Sequence, residues 1–193
     1  PMRELILKMT MSLDGFVSAT EGDNRWMFGE DPAAKGWSVD YLSQAGLHIM
    51  GRETFHAMAD HWPGSTDLFA VPMNAIPKVV FSREGDEIAP DAATLPPGGE
   101  SWANAYVASG DLDEEVAALK AESGGPIIAH GGVRFARSLI AHGLVDRFAL
   151  LVAPVALGRG EPLFSELERP LALELVEAVT FPGGAMAKIY RPT

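Results

Sequence analysis

Two consecutive glycines, Gly131 and Gly132, separate a short apolar run from an amphipathic pattern that ends near Gly143. The run Pro126–Ala129 is typical of a buried strand, and the pattern after the glycines is typical of a helix. Backbone N–H groups in the first helical turn lack partners within the helix and carry the positive end of its dipole. Because glycine has no Cβ, a phosphate can approach them closely. The motif therefore predicts an anion site, although a glycine pair also serves as a plain tight connection.

Strand and helix patterns alternate along most of the chain. Apolar runs predict strands at residues 4–11, 47–50, 77–82, 105–108, 126–129 and 145–152. Ser38 has the side chain of an N-cap for a helix that ends at Gly46, Gly51 begins another helix, and residues 111–114 resemble a capping box. This alternation predicts an α/β fold with a mostly parallel central sheet flanked by helices. Residues 171–179 and 185–190, separated by Phe181–Gly184, predict a C-terminal antiparallel hairpin.

The stretch from Gly85 to Glu100 is rich in proline and glycine and predicts a surface connection. We do not interpret it as a domain boundary, because the alternation of strand and helix continues beyond it at the same spacing. A chain of 193 residues, 47% of them hydrophobic, suits one core. We therefore expect residues 2–193 to form a single domain.

Composition excludes several classes of function. The formal net charge of −11 disfavours nucleic acid or an anionic membrane surface as a partner. No apolar run approaches the ~20 residues of a membrane span, and the first residues do not resemble a signal peptide, so we expect a cytoplasmic protein. With no cysteine, and with His56 and His61 at an unsuitable spacing, no metal site is predicted. Redox chemistry would require a borrowed cofactor.

Ligands of open α/β sheets bind outside the carboxyl ends of parallel strands. Here the relevant loops follow Met50, Phe81 and Ala129, and all three hold groups that suit phosphate: Arg52 and Thr54, Ser82 and Arg83, and Gly131, Gly132 and Arg134. Three such loops on one edge would suit a pyrophosphate and one further phosphate. Each arginine taken alone is also compatible with an ordinary solvated surface charge.

Five short segments occur in a characteristic order: Met11-Ser-Leu-Asp-Gly15, Met50-Gly-Arg-Glu-Thr-Phe55, Lys78-Val-Val-Phe-Ser-Arg83, His130-Gly-Gly132 with Leu139-Ile-Ala-His-Gly-Leu-Val-Asp146, and Pro154-Val-Ala-Leu-Gly-Arg-Gly160 before Pro162-Leu-Phe164. In these segments the chain resembles the dihydrofolate reductase-like family. The resemblance is to the reductase (RibD C-terminal) domain of the riboflavin-biosynthesis deaminase-reductase and its free-standing relatives. It extends from Arg3 to Arg191.

The resemblance implies an NADPH-dependent reductase acting on a small-molecule substrate. It places Thr10 and Val17 beside the nicotinamide, and it implies that Ser82 and Arg83 take the adenosine 2′-phosphate. Glu53 complicates the choice of NADPH over NADH, because folate-reducing relatives often carry a base in that region. The remaining cofactor-binding residues that it implies are Gly51, Arg52 and Thr54 for phosphate oxygens and Gly131, Gly132, Val133, Arg134 and Phe135 for the pyrophosphate.

No residue stands out as the proton donor. Folate reductases place a carboxylate on the helix after the first loop, and none of Glu30, Asp31 and Asp40 matches it well. We assign Asp14 as the acid that contacts the substrate, because it follows the first strand toward the nicotinamide. The alternative is that Asp14 only bonds the backbone of its own turn. His130 is interpreted as a strand-end residue in preference to one that points into the cleft.

Three hypotheses follow. The first is a reductase resembling 5-amino-6-(5-phosphoribosylamino)uracil reductase, or a diverged relative that reduces a small carbonyl, imine or pteridine. The second is a true dihydrofolate reductase, disfavoured by the missing carboxylate. The third is a non-catalytic dinucleotide-binding protein. The resemblance also implies a homodimer formed near the C-terminal strands, with which the apolar run Val145–Val152 is compatible.

Overall fold

The computed structural model describes residues 2–19, 24–27, 29, 31–83 and 88–193. The strands are β1 (Leu5–Met11), β2 (Phe16–Ser18), β3 (Leu47–Gly51), β4 (Lys78–Phe81), β5 (Tyr106–Ala108), β6 (Ile127–Ala129), β7 (Arg147–Val152), β8 (Glu161–Pro162), β9 (Leu173–Thr180) and β10 (Met186–Pro192). The helices are α1 (Pro32–Ser43), α2 (Arg52–His61), α3 (Ala70–Ala75), α4 (Glu100–Ala103), α5 (Leu112–Ala121) and α6 (Val133–Ala141).

Eight strands form the central sheet in the order β5-β4-β3-β6-β1-β7-β10-β9. The pairs from β5 through to β7 are parallel, whereas β10 is antiparallel to both β7 and β9. Strand β6 follows β5 in the chain but lies between β3 and β1. The predicted fold class, a mostly parallel sheet with an antiparallel C-terminal hairpin, is therefore confirmed.

Each face of the sheet has its own apolar cluster, because successive residues of a strand point to opposite faces. Leu5 and Leu7 of β1 pack with Leu119 of α5 and Leu139 of α6. Ile6, between the two leucines, belongs to the other cluster, which contains Leu42 of α1, Phe55 of α2, Met73 of α3 and Trp102 of α4. Helices α1 to α4 therefore cover one face, and α5 and α6 cover the other.

Helix α1 begins six residues before the predicted N-cap. Asp31 is the N-cap and accepts a hydrogen bond from Ala33 N, while Pro32 occupies the first helical position. Ser38 lies inside the helix and is only 3% exposed. The prediction was wrong because Gly36 and the polar residues before it resemble a loop, whereas an aspartate followed by proline is a strong helix start.

The structure also contains short elements that the sequence pattern did not predict. Helix α3 lies before β4, and α4 begins at the end of the stretch predicted as a surface connection. Strand β8 lies within the predicted loop 154–164 and pairs with β2. The turn that contains Asp14 lies between β1 and β2. Within the described residues, no helix combines the length and the apolar character needed to cross a membrane.

Candidate functional site

The three predicted anion-binding loops lie side by side. They follow β4, β3 and β6, which are consecutive in the sheet and parallel, so their carboxyl ends meet at one edge. We name this set of loops the carboxyl rim: residues 51–54, residues 82–83 and residues 130–135. Residues that are far apart in the chain are thus brought to one edge, as predicted.

Direct contacts join these loops. The Gly51 N–H donates to the carbonyl of Gly131 at 2.9 Å, and the His130 N–H donates to the carbonyl of Ile49 at 3.0 Å. The rings of Phe81 and Phe135 lie 4.8 Å apart between centroids. The loop after β3 is therefore hydrogen-bonded to the glycine turn, and the end of β4 packs against the first turn of α6.

The helices that start at the carboxyl rim differ from α1 and α5 in how they are capped. Asp31 and Asp111 cap α1 and α5 with their side chains. Helices α2 and α6 instead begin after Gly51 and Gly132, and neither has a side-chain cap. Neither helix start is therefore capped by a side chain, and an anion there would stabilise the first turn as a capping carboxylate does.

The glycine turn is tightly enclosed. Gly131 has a φ of +102°, a conformation that favours glycine, and its peptide bond to Gly132 is cis. A Cβ on Gly132 would lie 3.2 Å from Oγ1 of Thr54, and one on Gly51 would lie 3.2 Å from Cβ of Phe135. The close packing against Thr54 and Phe135 accounts for glycine at these two positions. The uncapped starts of α2 and α6 are the feature that suits the phosphates of a dinucleotide.

Three arginines contribute positive charge to the carboxyl rim. Arg52 and Arg134 lie in the first turns of α2 and α6, Arg83 follows β4, and all three are exposed. Arg137, one turn further along α6, is instead held by the carbonyl of Pro162 and the carboxylate of Glu161. Glu53 is also exposed in the first turn of α2, so one negative charge lies beside the arginines.

The residues predicted beside the nicotinamide lie one strand further along the sheet. Thr10 is half-buried near the carboxyl end of β1, which is the neighbour of β6. Val17 in β2 is only 2% exposed, and its side chain packs in the core. Only the backbone of Val17 could contact a cofactor, whereas the side chain of Thr10 is partly accessible.

Asp14 is held by hydrogen bonds on both carboxylate oxygens. Oδ1 accepts from Ser12 Oγ at 2.6 Å and from Leu157 N at 3.0 Å, and Oδ2 accepts from Gly158 N at 2.7 Å. The bond from Ser12, followed by those from Leu157 and Gly158, lowers the pKa of Asp14 to about 2. These bonds support the alternative that the sequence left open, in which Asp14 bonds the backbone around its own turn, and the role of Asp14 as the substrate-contacting acid stays a prediction. It braces the turn after β1 against the loop after β7.

The other carboxylates near α1 are no better as proton donors. Asp31 uses Oδ1 to cap the helix and Oδ2 to accept from Gly183 N at 2.6 Å, so it ties α1 to the turn between β9 and β10. Asp40 is exposed on α1, and Glu30 lies outside the described residues. In the segment before α1, Trp26 and Met27 are half-buried, and Phe28 lies outside the described residues.

The sequence analysis missed a polar cluster inside the sheet. His48 of β3 is fully buried, and its Nδ1 lies 2.8 Å from Nε2 of His130, 82 residues away in the chain. His130 directly follows β6 and also contacts this buried histidine, a contact that the sequence did not predict. Lys8 of β1 is half-buried, and the pairing of Leu7 with Ala129 places it beside His130. The available signal was a single polar residue inside an otherwise apolar strand.

Burial shifts each of these side chains toward its neutral form. It lowers the pKa of Lys8 to about 8 and that of His48 to about 4, with the charge of Lys78 adding to the effect on His48. Burial also lowers the pKa of His130 well below its ordinary value, and His48, Lys8 and Lys78 lower it further. Among the described residues, no group of three or more His, Asp or Glu side chains is arranged to hold a metal ion.

Comparison with known proteins gives a consistent result. The family model for the RibD C-terminal domain matches residues 3–187. The chain is 30% identical over 194 residues to the uncharacterised protein YyaP of Bacillus subtilis strain 168, covering 97% of this chain and 94% of YyaP.

Two solved structures have the same fold. A pyrimidine reductase-like protein from Corynebacterium diphtheriae superposes with a TM-score of 0.68 at 16% identity, covering 99% of this chain and 92% of that chain. Dihydrofolate reductase from Enterococcus faecalis, complexed with NADP(H), superposes with a TM-score of 0.62 at 14% identity, covering 98% and 96%. The architecture is therefore dihydrofolate reductase-like.

Proposed function

Because the chain belongs to the RibD C-terminal domain family, we propose that it is an NADPH-dependent reductase of the riboflavin-biosynthesis type or a diverged relative. The observation that carries the proposal is the carboxyl rim itself. Three loops with phosphate-compatible groups lie on consecutive parallel strands, and two of them open helices without side-chain caps. That combination suits a dinucleotide with several phosphate groups.

In this proposal the glycine turn and the start of α6 hold the pyrophosphate through backbone N–H groups. Gly51, Arg52 and Thr54 bind phosphate oxygens at the start of α2. Ser82 and Arg83 take the 2′-phosphate, for which a planar guanidinium is well suited. Thr10 and the backbone of Val17 lie toward the nicotinamide. The complete set of proposed cofactor-binding residues is Thr10, Val17, Gly51, Arg52, Thr54, Ser82, Arg83, Gly131, Gly132, Val133, Arg134 and Phe135.

The bound cofactor would supply a hydride, and the protein would supply orientation and a polar environment. The substrate would be a small molecule with a reducible C=O or C=N group, such as a ribosylamino-pyrimidine. A true dihydrofolate reductase is less well supported, because Asp31 is used as a helix cap and Asp14 is held ionised. We also propose that the protein forms a homodimer.

The proposal is tested by fluorescence or calorimetric titration of the protein with NADPH and with NADH. We expect NADPH to bind at least tenfold more tightly, and Arg83→Ala to remove most of this preference, since a charge-assisted pair contributes about 1.5–3 kcal/mol. Arg191→Ala is a matched control, because Arg191 pairs with Glu174 near the amino ends of the parallel strands, away from the carboxyl rim.

Three outcomes would count against the proposal or part of it. If neither nucleotide binds, the protein is not a dinucleotide-dependent enzyme. If both bind equally well to the wild type, the role of Arg83 is wrong. If NADPH binds but no pteridine, pyrimidine, carbonyl or imine compound is reduced, the protein is a non-catalytic dinucleotide-binding protein.

A further inference from the structure

The hydrogen bonds of His48 fix the position of its proton. Nε2 of His48 lies 3.3 Å from the backbone carbonyl oxygen of Pro72. A carbonyl oxygen can only accept, so Nε2 must carry the hydrogen. A neutral imidazole has one N–H group, and therefore Nδ1 of His48 is an unprotonated acceptor. Burial without a counter-ion favours the neutral ring, and the nearby Lys78 opposes a positive charge on it further.

The proton position on His48 determines the proton position on His130. Its Nε2 lies 2.8 Å from the acceptor Nδ1 of His48, so Nε2 of His130 is the donor. The Nδ1 of a neutral His130 is then unprotonated as well. One backbone carbonyl on α3 thus sets the tautomer of a ring on the carboxyl rim through an intermediate histidine on β3.

Two polar atoms of this cluster have no hydrogen-bond partner among the described residues. They are Nδ1 of His130 and Nζ of Lys8. Neither atom is among the fully buried side-chain atoms without a hydrogen-bond partner in this part of the chain, so neither is sealed from solvent. Lys8 also lies two residues from Thr10 on the same face of β1, a separation of about 7 Å. The two atoms therefore lie near the site proposed for the nicotinamide.

We infer that Nδ1 of His130 and the ammonium of Lys8 form an acceptor–donor pair that binds a hydroxyl group of the substrate, with His48 as the residue that positions His130. A hydroxyl satisfies both atoms, because it donates to Nδ1 and accepts from Lys8. A carbonyl oxygen has no hydrogen to donate and would leave Nδ1 of His130 without a donor. An ionised carboxylate would be repelled by the lone pair on the same Nδ1 atom. The substrate class is thus a hydroxylated carbonyl or imine compound. This inference rests on the proposed function for the identity of the reaction.

The first test is nitrogen-15 NMR of the histidine rings in the protein without ligand. We expect His48 and His130 to be neutral at about pH 7 and to carry their protons on Nε2. A proton on Nδ1 of His130, or an imidazolium at either position, would overturn the inference. The variant His48→Gln keeps a donor toward Pro72 but removes the acceptor for His130, and we expect His130 to lose its single tautomer. His48→Asn places an amide oxygen near the position of the lost Nδ1 acceptor, and we expect it to restore the single tautomer of His130.

The second test uses hydroxyacetone and acetone, which differ by one hydroxyl group. We expect hydroxyacetone to shift the Nδ1 resonance of His130 and to bind about tenfold more tightly than acetone, the contribution of roughly one hydrogen bond. His130→Gln keeps the donor toward His48 but lacks the acceptor and should abolish this preference. His130→Asn retains an acceptor and should keep part of it. Equal effects of the two ketones on the wild type would overturn the inference.

These measurements do not need NADPH, so they separate the two proposals. If NADPH fails to bind while the tautomers and the hydroxyl preference are as expected, the reductase proposal fails and the hydroxyl site stands. If NADPH binds and the ketones are not distinguished, the reductase proposal stands and the hydroxyl site fails.

Discussion

Asp14 illustrates how the donors around one carboxylate decide what that residue can do. The sequence allowed either a substrate acid or a residue that bonds its own turn. Ser12 lies in the same turn, but the N–H groups of Leu157 and Gly158 come from a loop more than 140 residues away. Three donors favour the ionised carboxylate and oppose its protonation. The bond from Ser12 was predictable because it lies in the same turn. The bonds from Leu157 and Gly158 were not, because they depend on the tertiary fold.

Replacing Asp14 by asparagine should lower the melting temperature, because an amide is a weaker acceptor for the three donors. The folded pKa is depressed from 3.8 to about 2, so the stabilisation is present above about pH 4 and is lost as pH falls toward 2. Thermal unfolding of wild type and Asp14→Asn over this range should show the difference shrinking. A bell-shaped rate profile that loses its acidic group in the variant would instead restore Asp14 as the acid.

The residues of the carboxyl rim were predictable because each of the three segments follows a buried strand, and two of them also begin a helix. The His48–His130 pair was not, because it depends on β6 lying next to β3. Nothing in either local sequence shows that pairing. Lys8 and His48 were visible only as polar residues in apolar strands, which identifies them as unusual without naming their partners.

At the level of elements, helices that begin at the carboxyl rim lack the side-chain caps that α1 and α5 have. Helices α1 and α5 obtain their caps from aspartates of the chain, whereas α2 and α6 begin with glycine at the carboxyl rim. The sequence predicted three of these four starts. It missed α1, because Gly36 lowers the helical character of that segment and the aspartate-proline start was not weighed against it.

Gly132→Ala should weaken NADPH binding about tenfold or more and change the melting temperature only slightly. The backbone at Gly132 has a φ of −61°, which alanine adopts readily, but the methyl group would lie 3.2 Å from Thr54 Oγ1, inside the proposed phosphate cradle. Gly36→Ala is the control, since its Cβ would meet no atom within 4 Å. It should stabilise α1 by about 0.5–1 kcal/mol and leave the NADPH affinity unchanged.

Lys78 of β4 connects the sheet to α3 and α4. Its side chain is 2% exposed, donates to the carbonyl of Ile76 and to Ser101 Oγ, and lies over the ring of Trp102. Burial lowers the pKa of Lys78 from 10.5 to about 7. Between these values the unfolded chain binds a proton that the folded protein has released, so stability rises with pH.

Urea unfolding at several values between about pH 7 and pH 10 should therefore show a rise of a few kcal/mol in the free energy of unfolding, since one pKa unit corresponds to about 1.4 kcal/mol. Lys78→Met should lose most of this rise. A smaller rise above about pH 8 should remain in the variant, because Lys8 is depressed to about that value. If the free energy of unfolding of Lys78→Met rises with pH as steeply as that of the wild type, Lys78 does not have the depressed pKa.

At the level of the whole molecule, β9 forms an open edge of the sheet. It is eight residues long, and its exposed side chains include Leu175 and Val176, which are 53% and 42% exposed. Such an edge offers unpaired backbone groups and apolar surface to a partner strand. The run Val145–Val152, which the sequence analysis connected with dimer formation, contains β7 and lies inside the sheet between β1 and β10. The hairpin is therefore the better candidate for a dimer interface.

Light scattering should show a dimer for the wild type and a monomer for the double variant Leu175→Glu, Val176→Glu. Placing four carboxylates across a two-fold interface would oppose association. Val71→Glu is a control at an exposed apolar residue on α3, and it should remain dimeric. A monomeric wild type would overturn the homodimer proposal.

The position of β6 has a consequence for how the protein is made. Strands β1 and β3 are synthesised early, but the gap between them is filled only by a strand that begins at residue 127. A ribosome-bound chain that has not yet reached β6 lacks the glycine turn, lacks His130 as a partner for Nδ1 of His48, and has no strand between β3 and β1. Under the proposed function, nucleotide binding would therefore await the last third of translation, and a product truncated before α6 would not bind the coenzyme.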